Sequence, residues 1–247
     1  MNSYKILPAG DSAALDYTVE ILQQKGYSIA LAPDPEVKYL LLPVPSFEAS
    51  GCIKGGIPLR SLLEQLPEDV CILGGNLQGI PKGYHCVDLL QDPFYVSQNA
   101  AITAHCAISL AMQKLPVTLE KLPVAVIGWG RIGKCLAKLL QGLGADVTVC
   151  ARKESDRAML TALGYKSAPL PCPDPLDTEL VFNTAPADID ISLPDKCLQI
   201  DLASKKGLPG QDVIWARGLP GKDAPKSSGQ LIAQTILPIL TKRSDPS

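Results

Sequence analysis

The chain has 247 residues, 46% of them hydrophobic and 19% charged, with a formal net charge of −2. That length holds one large domain or two modest ones, and so small a net charge gives no reason to expect nucleic acid or an anionic membrane as partner. No apolar run approaches the roughly 18 residues of a membrane helix, and Met1-Asn2-Ser3-Tyr4-Lys5 lacks a signal-peptide pattern. Residues 4–7 read as a short strand, punctuated by Gly10-Asp11-Ser12. Residues 13–25 then carry Ala14, Leu15, Thr18, Val19 and Leu22 at helical spacing and stop before Gly26. Residues 27–32 and 37–42 are strand candidates bounded by prolines, 58–66 a short helix, and 70–73 and 85–89 further strands. Strands alternating with helices predict a parallel sheet covered on both faces.

Residues 99–113 break that rhythm. The helix is apolar around much of its circumference, with Asn99, Thr103, His105, Ser109 and Gln113 confined to an arc of less than half a turn, so it is expected to be largely buried. It stands where one α/β unit ends and another begins, which makes it the connecting helix between two domains. The second unit opens with the apolar strand 124–127. A helix follows over 131–143, with Ile132, Cys135, Leu136, Leu139, Leu140 and Leu143 on one face, and then a strand over 146–150. Residues 180–183, 198–202 and 213–216 are further strands. A final helix is expected from about residue 228, with Ser227 and Gln230 as its capping box and Pro238 loosening its last turn.

The eight cysteines are spread evenly with no C-x-x-C pair, which argues against a zinc site or a disulfide framework. They are expected to be reduced core residues, which places the chain in a reducing cytoplasm, and no metal site is expected.

Between the second unit's first strand and its helix lies Gly128-Trp129-Gly130-Arg131-Ile132-Gly133. The pattern G-x-G-x-x-G carries weight here because a strand precedes it and an amphipathic helix follows. Gly128 permits a tight turn, Gly130 lets the backbone approach a pyrophosphate, and Gly133 allows close packing of helix on strand, with the phosphates at the helix N-terminus. An acidic residue closing the second strand would take the ribose hydroxyls of NAD. The chain has Cys150-Ala151-Arg152-Lys153 instead. Arginine offers a planar fork to a phosphate and lysine a second charge, so NADP is expected, with NAD left open. The further loops that follow strands, and so border a ligand in such sheets, include Thr184-Ala185-Pro186 and Leu202-Ala203-Ser204.

The wording of these loops resembles the dipicolinate synthase A-subunit family. Asp201-Leu202-Ala203-Ser204, Leu219-Pro220-Gly221, Ala224-Pro225-Lys226 and Gly229-Gln230 carry the match, with Asn99 and Thr103, Gly10-Asp11, Leu42-Pro43-Val44 and the Gly128–Gly133 loop. The resemblance implies two doubly wound domains related to the D-2-hydroxyacid dehydrogenases. Residues 1–97 would form a flavodoxin-like domain for substrate or partner. Residues 98–247 would hold the connecting helix, a Rossmann NAD(P)-binding domain and a C-terminal helix packing back. It implies oxidation of dihydrodipicolinate to dipicolinate with a nicotinamide cofactor during spore formation, in the mother-cell cytoplasm, beside a flavoprotein-like B subunit. The chain departs from the family in two places. His105 and Cys106 replace its usual Glu and Gly, and the Arg expected soon after Gly10-Asp11 is absent.

For such a dicarboxylate substrate, Lys226 is the expected carboxylate anchor at the start of the last helix, with Ser227, Ser228 and Asn99 as further substrate contacts. His105 is the candidate acid or base, with Thr103 and Asp201 beside it in the catalytic set. Arg131 is expected on the pyrophosphate or ribose. Two other readings stay open: a reductase or dehydrogenase acting on another small carboxylate, and a non-catalytic NADP-binding subunit or regulator. Self-association is left open.

Overall fold

The computed structural model describes residues 4–172 and 174–242, with nothing said of the side chain of Lys242. Met1-Asn2-Ser3, on which the expectation of no signal peptide rests, lie outside the described residues. Contacts divide the chain into two units: residues up to Asn99 together with those from Pro220 onward, and Ala100–Leu219.

The first unit runs β1 (Lys5–Pro8), α1 (Ala13–Gln24), β2 (Ser28–Ile29), β3 (Val37–Leu41), α2 (Leu59–Leu63), β4 (Cys71–Gly74), β5 (His85–Asp88) and the start of α3 (Pro93–Lys114). The sheet order is β2-β1-β3-β4-β5 with every pairing parallel, the flavodoxin-like arrangement. Its central strands β3 and β4 are near-continuous buried runs because both faces of the sheet are covered there, whereas the edge strands β2 and β5 have no buried residue. Leu7, Val37, Leu40, Leu42, Ile53, Leu63 and Ile72 form one buried cluster.

After Asn99, α3 carries the chain into the second unit: β6 (Pro123–Ile127), α4 (Arg131–Gly142), β7 (Asp146–Ala151), α5 (Glu154–Ala162), β8 (Lys166–Pro169), β9 (Leu180–Asn183), β10 (Leu198–Asp201), β11 (Ile214–Trp215) and the first residue of α6 (Leu219–Asp223). The order β11-β10-β9-β6-β7-β8, again parallel throughout, is the doubly wound Rossmann order. The fold is therefore two doubly wound α/β units, as expected.

The last helix, α7 (Pro225–Lys242), is grouped with the first unit, whereas the sequence predicts it within a second domain spanning 98–247. Its packing gives the reason. A Cβ on Gly229 would lie 2.6 Å from Ala14 O and from Tyr17 Cβ, so α7 lies directly on α1. Thr18 Oγ1 donates to Ala14 O (2.8 Å) and reaches Gly229 O (3.2 Å). Tyr4 Oη donates to Leu240 O (2.8 Å), at the amino end of β1. Hence α7 descends beside α1, with both helix starts at the carboxyl end of the sheet. Pro225 is the first helical residue, a position that needs no N–H. Ser227 therefore sits inside the helix and is not the expected cap. Pro238 lies within α7, which continues past it to Lys242.

All eight cysteines are free thiols, but only Cys71, Cys106, Cys150 and Cys197 are buried, and Cys86 is exposed. The expectation of core cysteines holds for half of them. Among the described residues no helix is long and apolar enough to cross a membrane.

Candidate functional site: a dinucleotide cleft in the second unit

Sheet order places the site. In a doubly wound sheet the ligand crevice lies outside the carboxyl ends of the strands where the order reverses, here between β6 and β9. Gly128 leaves β6 with φ 97°, a backbone region that favours glycine. Its N–H donates to Cys150 O (2.9 Å), tying the turn to β7. Thr184 closes the other side, donating from N (2.9 Å) and Oγ1 (2.8 Å) to Ile127 O. A Cβ on Gly133 would stand 2.1 Å from Gly128 O, so this glycine sets how closely α4 approaches β6.

Gly130 is different. It is the N-cap of α4, with ordinary φ of −83°, and an added Cβ would meet nothing within 4 Å. The space beside it belongs to a cleft of about 570 Å³ lined by Gly128, Trp129, Gly130, Cys150, Ala151, Arg152, Lys153, Asp156, Leu170, Thr184, Ala185 and Pro186. The first bond inside α4 runs from Lys134 N to Gly130 O (3.0 Å). The N–H groups of Arg131, Ile132 and Gly133 precede it, and no side chain caps them. A helix start with unspent donors beside open space suits a pyrophosphate.

At the far rim Arg152 and Lys153 are exposed, and among the described residues neither forms an ion pair. Arg157 Nη1 donates to Ala151 O (2.9 Å) and Arg152 O (2.8 Å), holding that loop in place. Asp156 and Leu170 also line the cleft, and no sequence motif marks either of them. Trp129 turns edge-on to Tyr165 at 5.9 Å, with Lys134 Nζ 5.7 Å from its ring. Burial, then the charge of Cys172, pushes the Cys150 thiol up to about 12, so it stays a neutral wall of the cleft.

Most of the expected cofactor set is thus brought together. Arg131, exposed, and Ile132, half-buried, contribute the helix start rather than the lining. Leu202, Ala203 and Ser204 do not line the cleft, and the reason is Asp201. Its carboxylate has no exposure and accepts from Asn183 Nδ2 (2.9 Å), Ala203 N (2.9 Å), Gly207 N (2.8 Å) and Leu208 N (3.0 Å). These bonds draw the loop after β10 inward, where Trp215 Nε1 donates to Ala203 O (3.0 Å). Asp201 is buried with its carboxylate engaged by four donors of the chain around it.

In α3, Thr103 is buried and Asn99 half-buried, while His105, Ser109 and Gln113 of the polar arc are exposed and most of residues 99–113 are buried or half-buried. The buried face is alanine-rich and broad, with Ala100, Thr103, Ala104, Cys106, Ala107, Ile108 and Ala111. In the first unit, Lys226 and Ser227 are exposed in the first turn of α7. Ser228 is 3% exposed and its Oγ has no hydrogen-bond partner. Among the described residues no group of three His, Cys, Asp or Glu could hold a metal.

Sheet order, glycine turn and free helix start together give the chain the two-unit fold of the dehydrogenases, with an open cleft at the glycine turn. No protein-family model matches the chain. Over 162 residues the chain is 33% identical to the A subunit of dipicolinate synthase from Bacillus subtilis (strain 168), a match covering 58% of this chain and about half (54%) of the length of that curated relative. The crystal structure of the same synthase's A subunit from Bacillus halodurans superposes with a TM-score of 0.84 at 22% identity, over 99% of each chain. D-lactate dehydrogenase from Escherichia coli shares the fold more distantly, with a TM-score of 0.54 at 12% identity over 97% of each chain. The chain resembles the dipicolinate synthase A-subunit family in both sequence and fold.

Proposed function

We propose that the chain is an NADP-dependent oxidoreductase of the dipicolinate synthase A type, oxidising dihydrodipicolinate to dipicolinate beside a flavoprotein-like B subunit. Its setting would be the mother-cell cytoplasm of a spore-forming bacterium. One observation carries the cofactor half of this reading: open space at Gly130 meets the uncapped start of α4, with Arg152 and Lys153 unpaired at the rim. The substrate half rests on likeness to the Bacillus subtilis protein.

A nicotinamide bound there would supply a hydride acceptor, so that loss of a hydride and one ring proton would leave the substrate aromatic. The chain's own groups do the rest. The N–H groups at the start of α4 hold the pyrophosphate. Arg152 and Lys153 hold the 2′-phosphate. Lys226 would hold a substrate carboxylate, with Ser227, Ser228 and Asn99 as further substrate contacts. His105 takes the ring proton, and its exposure lets that proton pass to solvent.

With the B subunit supplied, wild-type protein should form aromatic product and NADPH together. His105→Ala should cost about 10²- to 10⁴-fold in turnover, the usual scale for a lost acid or base, with NADP affinity unchanged. Full activity in that variant removes His105 from the mechanism. Tight NADP binding with no dipicolinate formed in either protein moves the assignment to a non-catalytic NADP-binding subunit or to another carboxylate substrate.

A further inference from the structure

Arg157 belongs to no sequence motif and does not line the dinucleotide cleft. It is the fourth residue of α5, where a cation runs against the helix macrodipole. Among the described residues it forms no ion pair. Its partners are backbone oxygens instead. Nη1 donates to Ala151 O (2.9 Å) and Arg152 O (2.8 Å), and the Arg157 N–H donates to Lys153 O (3.2 Å). Three successive carbonyls therefore turn toward one half-buried residue.

Those carbonyls belong to Ala151, Arg152 and Lys153, which all line the cleft. A carbonyl oxygen carries partial negative charge and repels a phosphate; bonded to a guanidinium, its field is largely offset. The rim also holds an opposing group. Asp156 lines the same cleft, half-buried and without an ion pair among the described residues. A carboxylate in this part of the fold suits ribose hydroxyls and repels a 2′-phosphate. The rim thus contains groups for either dinucleotide, and the balance depends on how firmly its two outer cations are presented. Arg152 and Lys153 are exposed, with long side chains that lose conformational freedom on binding. A fixed backbone beneath them leaves less to lose.

We propose that Arg157 is a positioning residue that sets the preference for NADP over NAD. Its role rests on the NADP reading above. It anchors the backbone of residues 151–153, so that Arg152 and Lys153 meet the 2′-phosphate and outweigh Asp156.

The test is calorimetric titration of NADP, and separately of NAD, into full-length wild type, Arg157→Ala, Arg157→Lys, Arg152→Ala and the double variant Arg152→Ala/Arg157→Ala. Arg157→Ala should weaken NADP about 10-fold, the scale of one charge-assisted hydrogen bond, and leave NAD within about 2-fold. In the double variant the two losses should not multiply, because both residues act through the same phosphate contact. Arg157→Lys keeps a charged donor without the planar fork, so it should show a smaller loss confined to NADP. That variant keeps the test decisive should Arg157→Ala fold poorly. If wild type prefers NADP, equal losses for both dinucleotides in a folded Arg157 variant, or no loss for NADP, overturn the role of Arg157 and leave the NADP reading standing. Losses that multiply in the double variant overturn the positioning role as well. A wild type with no preference for NADP overturns both the inference and the NADP reading.

Discussion

The two units contain the same device, a glycine turn leading from a parallel strand into a helix, and use it in opposite ways. In the first unit Gly10 has φ 119°, and a Cβ there would lie 2.7 Å from Pro43 Cγ and 2.9 Å from Ile53 Cγ2. The chain fills the space over its own turn. In the second unit Gly128, at the matching place, is as crowded, with a Cβ there 2.7 Å from Thr184 Oγ1, but Gly130 two residues on faces nothing within 4 Å, and the space beside it is a cleft of about 570 Å³. A glycine after a strand therefore does not make a phosphate site. Unfilled volume at a helix start with unspent N–H groups does.

The largest effect should fall on the filled turn. Gly10→Ala forces a side chain into a left-handed backbone and against Pro43 and Ile53, which should cost about 3 kcal/mol or more of stability. Thermal melting checks this, and a loss under about 1 kcal/mol would mean the turn relaxes easily.

Next comes the loop after β10. Asp201→Asn would aim an amide at donors that now meet a carboxylate, and should cost about 2–3 kcal/mol. In a chain of this size that lowers the melting temperature by roughly 4–12 °C. Cofactor affinity should fall only in proportion to unfolding. A variant that melts normally yet loses turnover would give Asp201 a catalytic role.

Cofactor choice is a smaller effect. Arg152→Ala should weaken NADP binding by about 1–3 kcal/mol and leave NAD nearly unchanged, because only the 2′-phosphate needs the guanidinium. Equal losses for both dinucleotides would assign Arg152 to something common to them, and Asp156 would then become the residue that meets the ribose.

The smallest effect is a drift at alkaline pH that arises in the second unit. Burial raises the thiols of Cys150 to about 12 and Cys197 to about 11 from an ordinary 9.0. Above pH 9 the unfolded chain releases those protons while the folded chain keeps them, so stability declines with rising pH until the folded thiols ionise. Denaturant midpoints measured from pH 8 to pH 10.5 (about the accessible range) should fall in wild type, and fall less in Cys150→Ala.

Sheet-forming segments are legible in the sequence because buried parallel strands are uninterrupted apolar runs, and α4 because its apolar face repeats without a break. The glycine cradle is legible for the same reason: its physics needs glycine at fixed spacing between recognisable elements. Elements with little to bury escape such a reading. In α5 only Leu160 is buried, and β8 is a short edge strand, Lys166–Pro169, with no buried residue; with α5 goes Asp156. The sequence places the start of α7 three residues late because Ser227 and Gln230 imitate a capping pair, while Pro225 marks the true beginning. His105 is exposed on the polar arc of α3 together with Ser109 and Gln113, opposite the buried face. Asp201 is legible as important but not as to role, since four hydrogen-bond donors from the chain around it converge on it only in three dimensions.

The most direct measurement is a calorimetric titration of NADP into wild type and Gly130→Val, with melting temperatures of both. A valine there meets no protein atom within 4 Å of its Cβ, so the variant should fold and melt like wild type. Its side chain would occupy the pyrophosphate's place, so NADP binding, clear in wild type, should disappear. A normally folded variant that binds NADP as tightly as wild type would show that the turn at Gly128–Gly133 is structural and that the dinucleotide site is elsewhere.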